Sequence, residues 1–364
     1  MFNYHTRSLK FEHDKEATID IVDMPSYESW KKILDSLALG NLEQTYEYGE
    51  VKKRTGSGSE IVRLLALADK RPLGLVQGLY QKRRGYGRFL TVGGTYGYSP
   101  LTLLEERKGQ VIKSLLVGLE NFAVTNRIVE ASIHWPRKWG FSSIFENLKY
   151  DVTHSFNVYA VDLRGNSNTL WERIHPNKRK NIKKAERAGV TVKNSQSEDC
   201  FQSFLKMLKV SAMRADFDPQ LSEVEELWKE FSPMGSARLF LADYNGRNIA
   251  SVLVLTHGDT AYARASASFK DAWGVRPNDI IHWKAMEWAS EQGYSRYHMG
   301  AVPEHELLEG SPLWGVWRWK KEWRGTLEGI DVYRKVFFPS FKKFMDTTRQ
   351  TIRRISRLGH TANR

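Results

Sequence analysis

Cysteine is nearly absent. Cys200 is the single one among 364 residues, which excludes an internal disulfide, a cysteine zinc site and a CxxC redox pair. Its neighbours Glu198 and Asp199 offer no cation to stabilise a thiolate, so a catalytic thiol is not expected. Long apolar runs are missing as well: no window of eighteen apolar residues occurs, and Met1–Arg7 lacks the apolar stretch of a secretory signal. The cytosol is the expected compartment. Histidine gives no metal pattern, since His5 and His13 are wrongly spaced for a zinc pair and His282 and His298 lie far apart. With no HExxH and no nucleophile elbow, neither a metal nor a resident cofactor is expected.

What is present is enough chain for two domains, with an apolar fraction of 41% that allows real cores. The formal net charge of +13 is concentrated: Trp171–Val192 carries a net +5 and Arg334–Arg364 a net +8, leaving the rest neutral. Such clustering favours polyanions, either phosphates of a nucleotide or RNA or an anionic membrane face.

An internal repeat organises the chain. Arg63–Asp69 runs through Lys70-Arg71-Pro72 into Leu73–Tyr80, and Ala237–Asp243 runs through Tyr244–Arg247 into Ile249–Leu255, an offset of roughly 170 residues. Both read as hairpins. Each is followed by a helix (Gly109–Asn126, Asp279–Gln292) and a short strand (Val129–Ile133, Ser295–Met299), and preceded by another helix (near Ser29–Leu39 and Phe201–Met213). The pattern predicts a duplicated α/β unit, with domains at 1–150 and 151–338 and a strand at Ser155–Leu163 opening the second. Beyond Pro339 the spacing of Phe341, Met345, Thr348, Ile352 and Ile355 predicts a basic amphipathic helix over 339–364, suited to anionic lipid or to packing on the second domain.

Three segments could carry chemistry. Lys82–Arg88 has the glycines of a phosphate loop but runs into Phe89–Val92, which reads as strand, so a hairpin turn is expected. The helix opened by Pro176-Asn177 and ended by Gly189 places Lys178, Arg179, Lys180, Lys183 and Lys184 beside few acids, so an anion such as phosphate or RNA is its expected partner. In Gly315–Gly325, period-two alternation would put Trp317, Trp319 and Lys321 on one strand face and Arg318, Lys320 and Glu322 on the other. A lysine beside such rings can neutralise a phosphate or a developing oxyanion.

The chain resembles the FemABX-type peptidyltransferases in four places. Gln44–Lys52 is similar to that family's segment of Gln, a small polar residue, an aromatic, Gly and Lys, with Tyr48 where Trp is usual. Asn177–Val190 resembles its Arg-Asn-Ile-Arg-Lys-Ala run ending in Gly-Val. Tyr262–Ser266 follows, then Pro277 and a helix with His282-Trp283. Trp319-Lys320 with Trp323 and Gly325 is similar to its Phe-Lys and Phe-Gly signature, both aromatics being Trp here.

The resemblance covers roughly Leu42–Tyr333 and implies an α/β fold of two tandem GNAT-like (acyl-CoA N-acyltransferase-like) domains with mixed twisted sheets. It also implies transfer of an aminoacyl or acyl group to a primary amine of a phosphorylated or lipid-linked, peptidoglycan-precursor-like acceptor. Aminoacyl-tRNA is the donor in the best-defined members. On this resemblance Lys320 would stabilise charge at the transferred carbonyl, Tyr262 would line the donor channel, and Lys52 and Arg179 would contact acceptor phosphates or sugar. Lys178, Lys183, His282 and Trp319 complete the expected substrate contacts. No base is evident beyond Asp216 or Asp218. Acyl-coenzyme A is the alternative donor, although Ser268–Gly274 stands where its phosphate loop would be and lacks that pattern. A non-catalytic RNA- or membrane-binding protein on the same fold is the third reading.

Overall fold

The computed structural model describes residues 6–7, 19–36, 41–56, 58–83, 87–94, 101–102, 108–215, 217–311, 314–345 and 347–348. The first repeat comprises β1 (Thr6–Arg7), β2 (Asp20–Asp23), α1 (Tyr27–Asp35), α2 (Tyr46–Thr55), β3 (Ser59–Ala68), β4 (Arg71–Arg83), β5 (Gly87–Val92), β6 (Leu101–Thr102), α3 (Lys108–Thr125), β7 (Ile128–Pro136) and α4 (Ser142–Asn147). After it come β8 (Asp151–Asp162), α5 (Ser167–Arg173), α6 (Pro176–Arg187), β9 (Thr191–Ser195), α7 (Glu198–Ala215), α8 (Leu221–Phe231), β10 (Ala237–Tyr244) and β11 (Arg247–His257). The chain continues through β12 (Thr260–Ser268), α9 (Pro277–Glu291), β13 (Arg296–Pro303), α10 (Trp314–Lys321) and β14 (Thr326–Val336).

The repeat is structural. β3–β4–β5–α3–β7 matches β10–β11–β12–α9–β13: two antiparallel pairings, then a helical crossover into a parallel one, β5 with β7 and β12 with β13. Even the hairpin turns correspond. Asp69 and Lys70 have φ of 48° and 64°, Asn245 and Gly246 of 53° and 75°, the left-handed pair that a tight two-residue hairpin needs. Each unit is preceded by two helices, α1 and α2 or α7 and α8. The Lys82–Arg88 stretch is the expected turn, since β4 pairs antiparallel with β5; residues 84–86 lie outside those described.

Among the described residues all strands join one sheet, in the order β1-β2-β3-β4-β5-β7-β14-β8-β13-β12-β11-β10-β9 with β6 beside β4. β14 is the joint, pairing with β7 on one edge (Val332 opposite His134) and β8 on the other (Val332 opposite His154). On the helical side α2 packs against α8, where Arg54 bonds Glu226 and Glu230 at 3.0 and 2.6 Å, and Leu42, Tyr48 and Val51 enter a core with Phe204, Leu227 and Phe231. No described helix is long and apolar enough to cross a membrane.

One element differs from expectation. Trp314–Lys321 is helix, not strand, so Trp319 leaves the face that Trp317 and Lys321 share: Trp317 is buried against Tyr159, while Trp319 bonds Asp279 through Nε1. Only Val316 in this run is β-branched, and Trp, Lys and Arg all tolerate helix, so alternation of ring and charge had no backbone preference behind it. The tail is helical at 339–345 and 347–348, with Phe341 and Phe344 exposed; Ile352 and Ile355 lie outside the described residues.

Candidate functional site

The parallel pair β12/β13 is hydrogen-bonded only at its start, Thr260–Arg296 to Tyr262–His298. Beyond Tyr262, β12 stays with β11 and β13 stays with β8, so the two diverge toward their C-terminal ends. A cavity of about 1230 Å³ opens here, lined by the last residues of β12, the 3-10 turn 270–275, the first turn of α9, and faces of α6, α7 and α10.

Helix α6 shows how sequence builds the wall. Pro176 stands in its first turn, the His175 ring accepts from the Asn177 backbone N–H at 3.2 Å, and Gly189 follows the C-cap at a φ of 87°. Lys178, Ile182 and Ala185 recur at helical spacing and face the core. Asn177, Lys180, Asn181, Lys184 and Arg187 form the neighbouring stripe and line the cavity. Arg214 from α7, Arg276 before α9 and Arg318 from α10 add three more cations from other walls.

Lys178 is corrected by the structure. It was expected to meet substrate, yet it is 0% exposed. Its Nζ bonds Asp279 at 2.6 Å, lies 3.3 Å from Glu322, and sits 4.7 and 4.8 Å from the ring centres of Trp319 and Trp323. A charge so enclosed is a tie between α6, α9 and the end of α10, unavailable to a ligand. Asp279 also accepts from Trp319 Nε1 at 2.8 Å, so this buried pair fixes the ring on the cavity wall.

The other expected residues separate. Trp319 and His282 line the cavity. Lys320 and Tyr262 are outside its lining, near where the strands part: Lys320 Nζ donates to the Ala301 carbonyl at 3.1 Å, and the Tyr262 ring lies 5.6 Å from that of His298. Arg179 and Lys183 are not in the lining, and Lys183 lies 5.7 Å from the Trp171 ring instead. Lys52 is at the contact between the lobes, bonded at 2.6 Å to Glu223, which Arg264 also bonds at 2.7 Å. Asp218 accepts from the Gln220 backbone N–H at 2.9 Å, and Asp216 is outside the described residues.

Lys180 and Lys184, expected on α6 to meet an anion, do line the cavity, whereas Arg187, Arg214, Arg276 and Arg318 were missed. Arg187 carried a signal, the 3.6-residue spacing of polar positions on α6 away from Lys178, Ile182 and Ala185; the others come from three distant segments and carried none.

Two buried histidines underlie the site. His282 shares a 2.9 Å hydrogen bond between Nδ1 and the Tyr297 hydroxyl, and its ring meets Trp319 edge-on at 5.0 Å. Burial, then the charges of Lys178 and Lys320, lower its pKa to about 3. Burial, Arg296 and Lys320 do the same to His298, also to about 3. Both are therefore neutral in the folded protein near pH 7, while the unfolded chain takes up protons below about 6.5. More protons on the unfolded state mean that stability falls with pH through the window from about 6.5 toward 3. The urea midpoint is expected to drop between pH 7.5 and pH 5, and less steeply in His282→Gln.

Residues 175–321 match the family model described as acetyltransferase (GNAT) domain. Among solved structures, FemX superposes with a TM-score of 0.72 at 16% identity, over 85% of this chain and 96% of that one. A tandem GNAT protein from the clavulanic acid biosynthesis pathway follows at 0.55 and 11%, covering 87% and 98%. A conserved protein from Bacteroides thetaiotaomicron gives 0.55 and 12%, covering 85% and 98%. No functionally curated protein is matched by sequence. At these identities the likeness is one of fold: the chain has the tandem GNAT architecture of FemX, as the sequence resemblance implied, and the match to the acetyltransferase (GNAT) domain model falls in its second lobe.

Proposed function

We propose that this acyltransferase moves an aminoacyl group from aminoacyl-tRNA to a primary amine of a phosphorylated or lipid-linked cell-envelope precursor. The observation that carries the proposal is the cavity where β12 and β13 part, with six Lys/Arg in its lining. Its two lining carboxylates, Asp279 and Glu322, share the one ammonium of Lys178, which leaves a single negative charge against six cations. That is an environment for a polyanion.

In the reaction the amine nitrogen attacks the ester carbonyl of the donor. A C–N bond forms, the C–O bond to ribose breaks, and the amine proton leaves with the ribose oxygen. An ester is already activated, so positioning and charge stabilisation supply most of the acceleration. Lys320, held near neutral His282 and His298, is assigned to the developing oxyanion; Tyr262 and Trp319 shape the channel.

Acyl-coenzyme A is the second reading, favoured by the cavity's place at the N-terminus of α9. Against it, that helix opens with Pro277, which has no N–H to offer, and carries the Asp279 carboxylate in its first turn. The chain is expected to transfer label from a mixture of charged tRNAs to an amine-bearing lipid-linked peptide and not from acetyl-coenzyme A; transfer from the latter alone overturns the proposal. Lys184→Glu with Arg187→Glu is expected to weaken tRNA binding at least tenfold and to lower the slope of log affinity against log salt by about one per residue.

The exposed Phe341 and Phe344, 47% and 67% accessible, support a role for the tail helix at the inner membrane face, beside the acceptor. Deleting residues after Pro339 is expected to abolish sedimentation with phosphatidylglycerol vesicles while leaving tRNA binding unchanged.

A further inference from the structure

The cavity contains an aromatic shelf that amide formation does not require. Trp273, in the turn ahead of α9, is 42% exposed, and Phe217, just past α7, is 48% exposed. Both line the cavity. The indole cannot turn inward, because Trp273 Nε1 donates at 2.9 Å to Ser268 Oγ, which also accepts from Asn278 Nδ2 at 3.1 Å. The Arg214 guanidinium lies over the ring, 5.0 Å from its centre, and is itself held by a 3.0 Å bond from Nη1 to the Ser268 carbonyl. Ser268, the last residue of β12, thus locks both groups.

A rigid indole backed by a guanidinium, left open to a cationic cavity, suits one class of ligand. A nucleobase stacks on it, while the adjoining phosphates meet Arg276, Lys184 and Arg187. Pre-fixing the ring removes the ordering cost that a mobile side chain would bring to such stacking.

We propose that Trp273, backed by Arg214, is the stacking platform for the terminal adenosine of the donor. The inference rests on reading the cavity as the donor site. Its chemistry, an adenine with neighbouring phosphates, is shared by the 3′ end of tRNA and by coenzyme A.

Calorimetric titration of the full chain with four probes tests it: adenosine 3′,5′-bisphosphate, inorganic tripolyphosphate, deacylated tRNA, and the same tRNA lacking its 3′-terminal adenosine. Trp273→Ala is expected to weaken the bisphosphate about 5- to 150-fold, the range for losing one stacked base. Trp273→Phe is expected to restore most of this, and tripolyphosphate is expected to be unaffected by either change. Equal weakening of intact tRNA, with none for the truncated tRNA, identifies the tRNA end as the source. An effect confined to the bisphosphate identifies coenzyme A. The platform is overturned if Trp273→Ala weakens tripolyphosphate as much as the bisphosphate, or changes no nucleotide affinity. The donor-site reading fails separately if Lys184→Glu with Arg187→Glu leaves all four affinities unchanged.

Discussion

Lys320→Ala is expected to lower the single-turnover rate of transfer by about 10²- to 10³-fold, the effect of removing one donor to a developing oxyanion. The affinity for tRNA is expected to change little, because Lys320 is not in the cavity lining and the cations proposed to grip phosphate are. Its amine is directed at the Ala301 carbonyl where the sheet splits, and its charge is felt by both His282 and His298. Neutral imidazoles cannot compete with it for an anion. Lys320→Arg keeps the charge but replaces a compact ammonium with a planar fork, so partial recovery is expected. Unchanged turnover in Lys320→Ala, with the fold intact by circular dichroism, would remove the assignment. It would favour the reading in which the fold binds RNA or membrane without catalysis.

The second large effect concerns stability. Lys178→Ala leaves Asp279 and part of Glu322 without their counter-charge inside the protein, and a cost of about 3–5 kcal/mol is expected in urea unfolding. Asp279→Asn is expected to cost less, since Glu322 at 3.3 Å still pairs with the ammonium. Replacing both partners, Lys178→Met with Asp279→Leu, is expected to recover most of the loss, because the desolvation cost of the pair then disappears with its attraction. The double variant still lacks the acceptor for Trp319 Nε1, so its ring loses its fixed orientation. Restored stability with impaired transfer is the expected signature. A Lys178→Ala variant as stable as the parent would mean that the charge reaches solvent.

Lys178 also shows where sequence reasoning stopped. In the run Lys178-Arg179-Lys180 three adjacent cations have the same composition and successive angles on a helix about 100° apart. One is core, one stands outside the cavity lining, and one lines it. Composition assigned all of them to an anion. The phase of the helix separated them, and that phase was readable from Ile182 and Ala185, the apolar positions that Lys178 shares. The Trp319 segment was harder. Alternating rings and charges fit either period over so short a stretch, and the helix was settled by packing against Tyr159 and by the buried tie to Asp279.

The amino-acid sequence by itself determined the duplicated α/β unit, the hairpins and their turns, and the strongly basic helix. Each of these is written in local hydrophobic period, turn chemistry or charge within a few dozen residues. Only the tertiary structure decided that β14 would join the lobes into one sheet, that Lys52 would serve a contact between them, and that Arg214, Trp273, Arg276 and Arg318 would surround one opening. Those outcomes depend on where two parallel strands stop pairing and part, a geometric event that draws distant segments together and leaves no trace in any one of them.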